Sequence, residues 1–294
     1  MGESFAFIDD EYKKAEDAKI PILEPTFTKG DSVYDTVSVL NKMIFRLDDH
    51  LTRFQDSCAA MEIKIPYSRD QIKSICIELV KKSNLDNACF SLIGRRGPYT
   101  DLTKRDLRSC KNGLIVVIVP FYNIFGEYTD KEGLKVSIVK NNRVPKEAID
   151  ATVKNYNWMD LNRGSLEAYK NGADTAVLCT PDGLLSEGPG FNFWILKNGV
   201  LKTPEGNLLK GITRKSVFEL AKEMGIKAQE CKLLPSDLQE ADEAFCCTTA
   251  AGITPITHVD GSSLGNGFPG ILSTSIQKEF WQKRRQGWHA TKIN

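Results

Sequence analysis

Histidine is scarce, three in 294 residues, and the eight cysteines at 58, 76, 89, 110, 179, 231, 246 and 247 form no C-x-x-C pair. A zinc site built on Cys/His spacing is therefore not expected, and scattered thiols of this kind fit a reducing, cytoplasmic setting. Long hydrophobic runs are missing too. The longest, Leu114 to Pro120, falls well short of the roughly 20 residues that cross a bilayer and reads as a buried strand. The opening residues, MGESFAFIDDEYKK, carry acids where an export signal carries a basic and then an apolar run, so no such signal is expected. Charge of one sign is also lacking: 39 Lys+Arg face 38 Asp+Glu, a net +1, which argues against nucleic acid or a membrane surface as partner. No internal repeat or low-complexity tract interrupts the chain.

What is present suits a folded, water-soluble chain. Hydrophobic residues make up 41%, mean hydropathy is −0.29, and at about 150 residues per domain the length suggests two domains. Residues 30–46 read as two strands, VYDTVSVL and MIFRL, with a turn near Asn41. Helices are expected from Asp48 to Met61, with Asp48 as cap, and from Ser68 to Lys82, because apolar residues recur there at steps of three and four. ACFSLIGRRG and GLIVVIVPFY follow as strands. The aperiodic stretch after Pro120 separates an N-terminal α+β domain (1–120) from a C-terminal domain (134–294), with 121–133 as the connection. The second domain reads as a strand LKVSIV, a helix from about Asp150 to Lys170, two strands (TAVLCT, FNFWILKNG) joined by a turn at Pro181 to Gly183, a helix opening at Thr213, a strand near Ala244 to Thr248, and a final helix.

Four segments carry residues suited to chemistry, each with a plainer alternative. In GNLLKGITRKSVFELAKEMG, Gly211 precedes a helix start that Thr213 can cap. Open N–H groups there suit an anion, although an ordinary capped helix has the same look. Ile212-Thr213 stands where a P-loop has Lys-Ser/Thr, so a nucleoside triphosphate is not expected. Glu187 precedes Gly188-Pro189-Gly190 at a strand end, as an inward carboxylate or a solvated turn acid. TTAAGITP, from Thr248, offers backbone N–H groups or is simply a loop. Lys154 sits among uncharged and aromatic neighbours, Tyr156 and Trp158. Poor solvation there favours a nucleophilic amine, and a snorkelling surface lysine is the alternative.

These segments occur together and in one order: FRLDDHLTRF (45–54), VKNYNWMDL (153–161), LLSEGPGFNFWIL (184–196), LLKGITR (208–214) and CTTAAGITPI (247–256). In that order the chain resembles the fold-type IV, or class IV aminotransferase, family of pyridoxal 5'-phosphate enzymes from about residue 20 to 285. FRLDDHLTR, VYDTVSV and VKN-x-x-W-x-DL look most like the (R)-selective amine transaminases, with D-amino-acid and branched-chain aminotransferases as relatives. The resemblance implies a two-domain α/β fold with a smaller N-terminal α+β domain, the cofactor held between the domains, a homodimer, and transfer of an amino group between a primary amine or amino acid and a 2-oxo acid or ketone.

It also implies roles. Lys154 would bond to the cofactor and shuttle the proton. Glu187 would keep the pyridine nitrogen protonated so that the ring accepts electrons. Arg53 would bind the phosphate, together with the N–H groups of Ile212 and Thr213 and the threonines Thr213, Thr248 and Thr249. Tyr34, Thr36, Trp158 and Ala250 would line the substrate pocket. Cys89 and Ser91 stand where branched-chain enzymes usually carry a tyrosine and an arginine. A loop cation for a substrate carboxylate is implied among Arg95, Arg96, Lys104 and Arg105. Rival readings are a branched-chain L-amino-acid aminotransferase, a lyase of the same fold acting on an aminodeoxychorismate-like substrate, and a carrier that binds the cofactor without turnover.

Overall fold

The computed structural model describes residues 2–126 and 132–293. Two compact units result: Met1–Tyr122 with Val153–Asn157 and Arg284–Asn294, and Asn123–Thr152 with Trp158–Lys283. The expected connection at 121–133 includes residues 127–131, which lie outside the described residues. The expected break near residue 120 accounts for only part of this division, because two later segments return to the first unit. Tyr34 N–H donates to Lys154 O at 2.9 Å, and the strand Ala290–Lys292 pairs with Met43–Phe45. Backbone pairing between residues more than a hundred positions apart leaves no local trace in a sequence.

In the first unit, β1 (Phe5–Ile8), β2 (Glu11–Lys14), β3 (Ser32–Leu40), β4 (Met43–Phe45), β5 (Ala88–Arg95) and β6 (Gly113–Pro120) join the strand Ala290–Lys292 in an antiparallel sheet. The order runs from that last strand through β4, β3, β5, β6 and β1 to β2. Asn41 and Lys42, both left-handed with φ 50° and 58°, make the tight turn between β3 and β4. Two helices follow, α2 (Leu47–Ala60) after the short α1 (Pro25–Thr28), and α3 (Arg69–Ser83). The cap of α2 is Arg46, not Asp48, whose carboxylate instead accepts from Lys73 at 3.0 Å. Ser68 caps α3 in a reciprocal pair with Gln71.

One face of the sheet is sealed. Val33, Val37 and Val39 of β3 pack with Leu51 and Phe54 of α2 and Ile72 and Leu79 of α3; burial of each such side chain stabilises by roughly 1.5–3 kcal/mol. The alternation of a strand then turns Tyr34, Thr36 and Ser38 to the opposite face. β6 alternates likewise, with Leu114, Val116 and Ile118 buried and Ile115 and Val117 half-buried, so its apolar run is covered on one side.

The second unit holds β7 (Leu134–Ile138), β8 (Thr175–Val177), β9 (Asn192–Lys197), β10 (Val200–Pro204), β11 (Lys227–Cys231), β12 (Glu243–Thr248) and β13 (Gly252–Val259), ordered β11-β10-β9-β12-β13-β7-β8. β10/β11, β13/β7 and β7/β8 pair in parallel, the other neighbours antiparallel. The turn expected at Pro181 to Gly183 is present, but β8 and β9 are not neighbours in the sheet. A turn from Thr180 to Leu184 and a second reversal at Gly188 to Phe191 separate them. The helix expected from about Asp150 begins only at Met159 and runs to Lys170. Before it, Asp150 accepts from Thr152 N–H and Asn155 from Asn157 N–H, local turns that compete with helix.

Candidate active site

In the first unit the chemistry gathers on β3 and α2. Lys154 is on no helix. Its carbonyl is held by Tyr34, its N–H donates to Ser57 Oγ of α2 at 3.1 Å, and its Nζ lies 4.3 Å from the centroid of the Tyr34 ring. Tyr156 stacks on the same ring at 4.2 Å, and burial raises the Tyr156 phenol pKa. Two residues that the sequence does not single out lie under Arg53. Its Nε and Nη2 donate to Asp35 Oδ2 and Oδ1 at 2.7 and 2.8 Å, while His50 Nδ1 meets Asp35 Oδ1 at 2.7 Å. Burial opposes the Asp35 charge, but Arg53 and then His50 hold its pKa well below the ordinary carboxylate range. Burial also lowers the His50 pKa, outweighing the pull of Asp35, so the ring is neutral at pH 7.

The other face of β3 carries the expected substrate residues. Thr36 and Ser91 are directly opposite, their hydroxyls 3.5 Å apart, and both are half-buried. Cys89 pairs with Ser38 and is only 1% exposed; burial pushes its thiol up to about 11. Beside this pair stands Arg284, which the sequence hides in the basic run KRRQ. It is 4% exposed, donates to Ser38 Oγ at 3.0 Å and lies over the Phe45 ring at 4.4 Å; burial lowers its pKa to about 10. The other candidate cations divide. Arg95 pairs with Glu24 and Asp9, Arg96 with Asp31, and Lys104 with Asp101. The Arg105 side chain is exposed and makes no hydrogen bond or ion pair among the described residues.

In the second unit Glu187 sits between the two reversals. Its carbonyl accepts from Leu178 N–H, its Oε1 from Arg143 Nη2 and its Oε2 from Leu209 N–H, both at 3.2 Å. Arg143 also donates to Asp160 at 2.5 Å, and all three side chains are buried. Glu187 is thus no solvated turn acid. A Cβ on Gly188 would lie 2.0 Å from Phe191 Cζ, so only glycine allows this reversal. β9 and β10 follow, and after them comes the helix Ile212–Glu223. Its cap is Gly211, not Thr213; a Cβ there would lie 2.2 Å from Asn192 Oδ1. Ile212 and Thr213 occupy its first turn, where N–H groups lack intrahelical acceptors. Arg214, bonded to Thr203, Pro204 O and Glu230, pins that end. Thr248 Oγ donates to Gly190 O at 2.8 Å, so its proton is engaged within the fold. Thr249 and the buried Ala250 form the turn into β13, and Trp158 packs beside Gly190.

The class IV aminotransferase family model matches residues 32–259. The chain belongs to that family. A branched-chain-amino-acid aminotransferase of Pseudomonas aeruginosa is 31% identical over 283 residues, 93% of this chain and 90% of its own. A D-alanine aminotransferase of Listeria monocytogenes is 27% identical over 93% of each chain. The crystal structure of an Escherichia coli branched-chain amino acid aminotransferase superposes with a TM-score of 0.92 at 27% identity, covering 100% of this chain and 99% of the other. The fold is that of fold-type IV, and this class IV aminotransferase is a pyridoxal-phosphate-dependent transaminase, which sets aside the carrier reading.

The residues present suit that cofactor. Glu187, buried and bonded to Arg143 Nη2, is a carboxylate of the kind that suits a protonated ring nitrogen. Arg53 and the first turn of the helix Ile212–Glu223 are donors suited to a phosphate. Among the described residues no helix is long and apolar enough to cross a membrane, and no cluster of His, Cys, Asp and Glu suits a metal.

Proposed function

We propose that this class IV aminotransferase moves an amino group between a primary amine lacking an α-carboxylate, or a D-amino acid, and a 2-oxo acid or ketone, in the manner of the (R)-selective amine transaminases. The Thr36–Ser91 pair carries this reading: two neutral hydroxyls, 3.5 Å apart, occupy the open face of β3 and β5. Arg95 and Arg96, which follow on the same strand and its loop, are already matched with Glu24 and Asp31. Two neutral hydroxyls give a carboxylate no charged partner at this pair, where burying one costs several kcal/mol; an apolar or aromatic substituent suits this position, with Arg284 one pair along at Ser38. Arg105, exposed in the loop, is the movable cation for a 2-oxo acid acceptor.

Within this reading Lys154 holds and returns the proton at the reacting carbon, and Glu187 keeps the ring nitrogen charged. Arg53, the N–H groups of Ile212 and Thr213, and the hydroxyls of Thr213 and Thr249 grip the phosphate. Tyr34, Trp158 and Ala250 line the substrate side. When bound, the cofactor supplies the electron-accepting ring. The working unit is a cytoplasmic homodimer, as the family resemblance implies; elution of the purified protein as a monomer would contradict the dimer. Similarity to branched-chain enzymes supports a second reading, with L-leucine as donor. A donor screen with pyruvate decides between them. If L-leucine exceeds (R)-1-phenylethylamine a hundredfold in kcat/KM, a difference of about 2.7 kcal/mol, the branched-chain reading replaces the amine one.

A further inference from the structure

Arg53 and His50 are three residues apart on α2 and so share one helix face, turned toward β3. Between them lies Asp35, fully buried, both of whose oxygens are in use: Oδ2 takes Arg53 Nε, and Oδ1 takes both Arg53 Nη2 and His50 Nδ1. The Nε/Nη2 edge of the guanidinium is thereby fixed in plane and direction. His50 Nε2 is buried with no hydrogen-bond partner, so the ring acts here through Nδ1 alone. One turn further on α2, Ser57 accepts from the Lys154 N–H, and one residue back on β3, Tyr34 donates to the Lys154 carbonyl. The same strand and helix therefore hold both the lysine backbone and the arginine head.

We propose that Asp35, steadied by His50, is a positioning residue that aims Arg53 at the cofactor phosphate, so that preference for the phosphorylated cofactor over free pyridoxal depends on a side chain buried behind the arginine. This rests on the reading of Arg53 as the phosphate ligand. Charge alone predicts the opposite of positioning. Removing the Asp35 carboxylate leaves Arg53 less neutralised and, by electrostatics, strengthens its attraction for a dianion. If orientation governs, removal weakens that attraction, because the guanidinium no longer holds one geometry.

The test titrates the full-length protein, stripped of cofactor, with pyridoxal phosphate and with pyridoxal, reading absorbance of the ring bound at Lys154. Asp35→Asn is expected to weaken pyridoxal phosphate binding by about tenfold or more, the scale of one charge-assisted hydrogen bond, with pyridoxal binding changed less than about twofold. Asp35→Glu, which restores the carboxylate, is expected to recover most of the preference. Tighter phosphate binding in Asp35→Asn, an equal loss for both ligands, or no change overturns the proposal. Should Asp35→Asn not fold, His50→Asn takes its place. A loss confined to pyridoxal phosphate is expected, and an equal loss for both ligands overturns the role. Arg53→Ala separates the two levels. If it leaves the preference intact, the phosphate reading of Arg53 itself fails; if it abolishes the preference while Asp35→Asn does not, only the positioning role fails.

Discussion

Lys154 holds its amine 4.3 Å from the centre of the Tyr34 ring while its carbonyl accepts the Tyr34 backbone N–H at 2.9 Å. Tyr156 stacks on that ring at 4.2 Å with 18° between planes. The Tyr34 ring thus contacts both the Lys154 amine and the Tyr156 ring. A cation over an aromatic face gains about 0.5–2 kcal/mol. Tyr34→Phe is therefore expected to keep single-turnover rates within about twofold, and Tyr34→Leu to lower them by roughly threefold to thirtyfold. Equal losses in both would assign the effect to the hydroxyl.

Borohydride reduction of the holoenzyme followed by peptide mapping should place the pyridoxyl group on Lys154, and Lys154→Ala should abolish turnover. Labelling at a different lysine would refute the assignment of the site.

Electronic and binding roles should separate. Glu187→Gln is expected to lower kcat by orders of magnitude with most cofactor retained, since it weakens the hold on the ring nitrogen and leaves the phosphate donors in place. Arg53→Ala should instead cost about tenfold to a hundredfold in cofactor affinity. The measurement is kcat and cofactor Kd in each variant, and identical Kd values would contradict the division.

Acid should destabilise the first unit in two steps. The folded-state pKa of His50 lies below its ordinary 6.5, so its contribution is complete above pH 6.5 and is lost as pH falls toward the lower folded value. Asp35, depressed below 3.8, contributes fully above pH 3.8 and loses its share as pH falls through its folded pKa. Urea midpoints at pH 7.5 and 5.5 should differ less in His50→Asn than in the parent. An unchanged difference would mean that other groups govern the first step.

Arg105 and Arg95 should behave differently although both belong to one basic stretch. Arg105→Ala is expected to raise KM for pyruvate severalfold with stability unchanged, because its side chain holds nothing in the fold. Arg95→Ala leaves the buried Glu24 carboxylate without its cation, and breaking such a pair costs about 3–5 kcal/mol. Denaturation midpoints and acceptor kinetics on the two variants check this; a stability loss in Arg105→Ala would contradict it.

The sequence by itself determined the elements whose signals are local and repeated. α3 begins at its Ser68 cap, β3 and β4 meet at Asn41, and Gly225, left-handed with φ 70°, follows the end of the helix Ile212–Glu223. It also determined the ordered motifs around Arg53, Lys154, Glu187 and Thr213, since each needs particular residue types within a few positions. Tertiary structure alone decided what surrounds them. Asp35 reads as one polar position in VYDTVSV, His50 as one residue of an amphipathic helix, and Arg143 belongs to no motif. Their meaning comes from pairing across 18, 15 and 44 positions. Arg284 meets Ser38 across 246 positions, and Lys154 leaves its expected helix because β3 offers its backbone a partner. A one-dimensional pattern records which face a side chain prefers; which charge it meets there depends on chain crossings that no local period encodes.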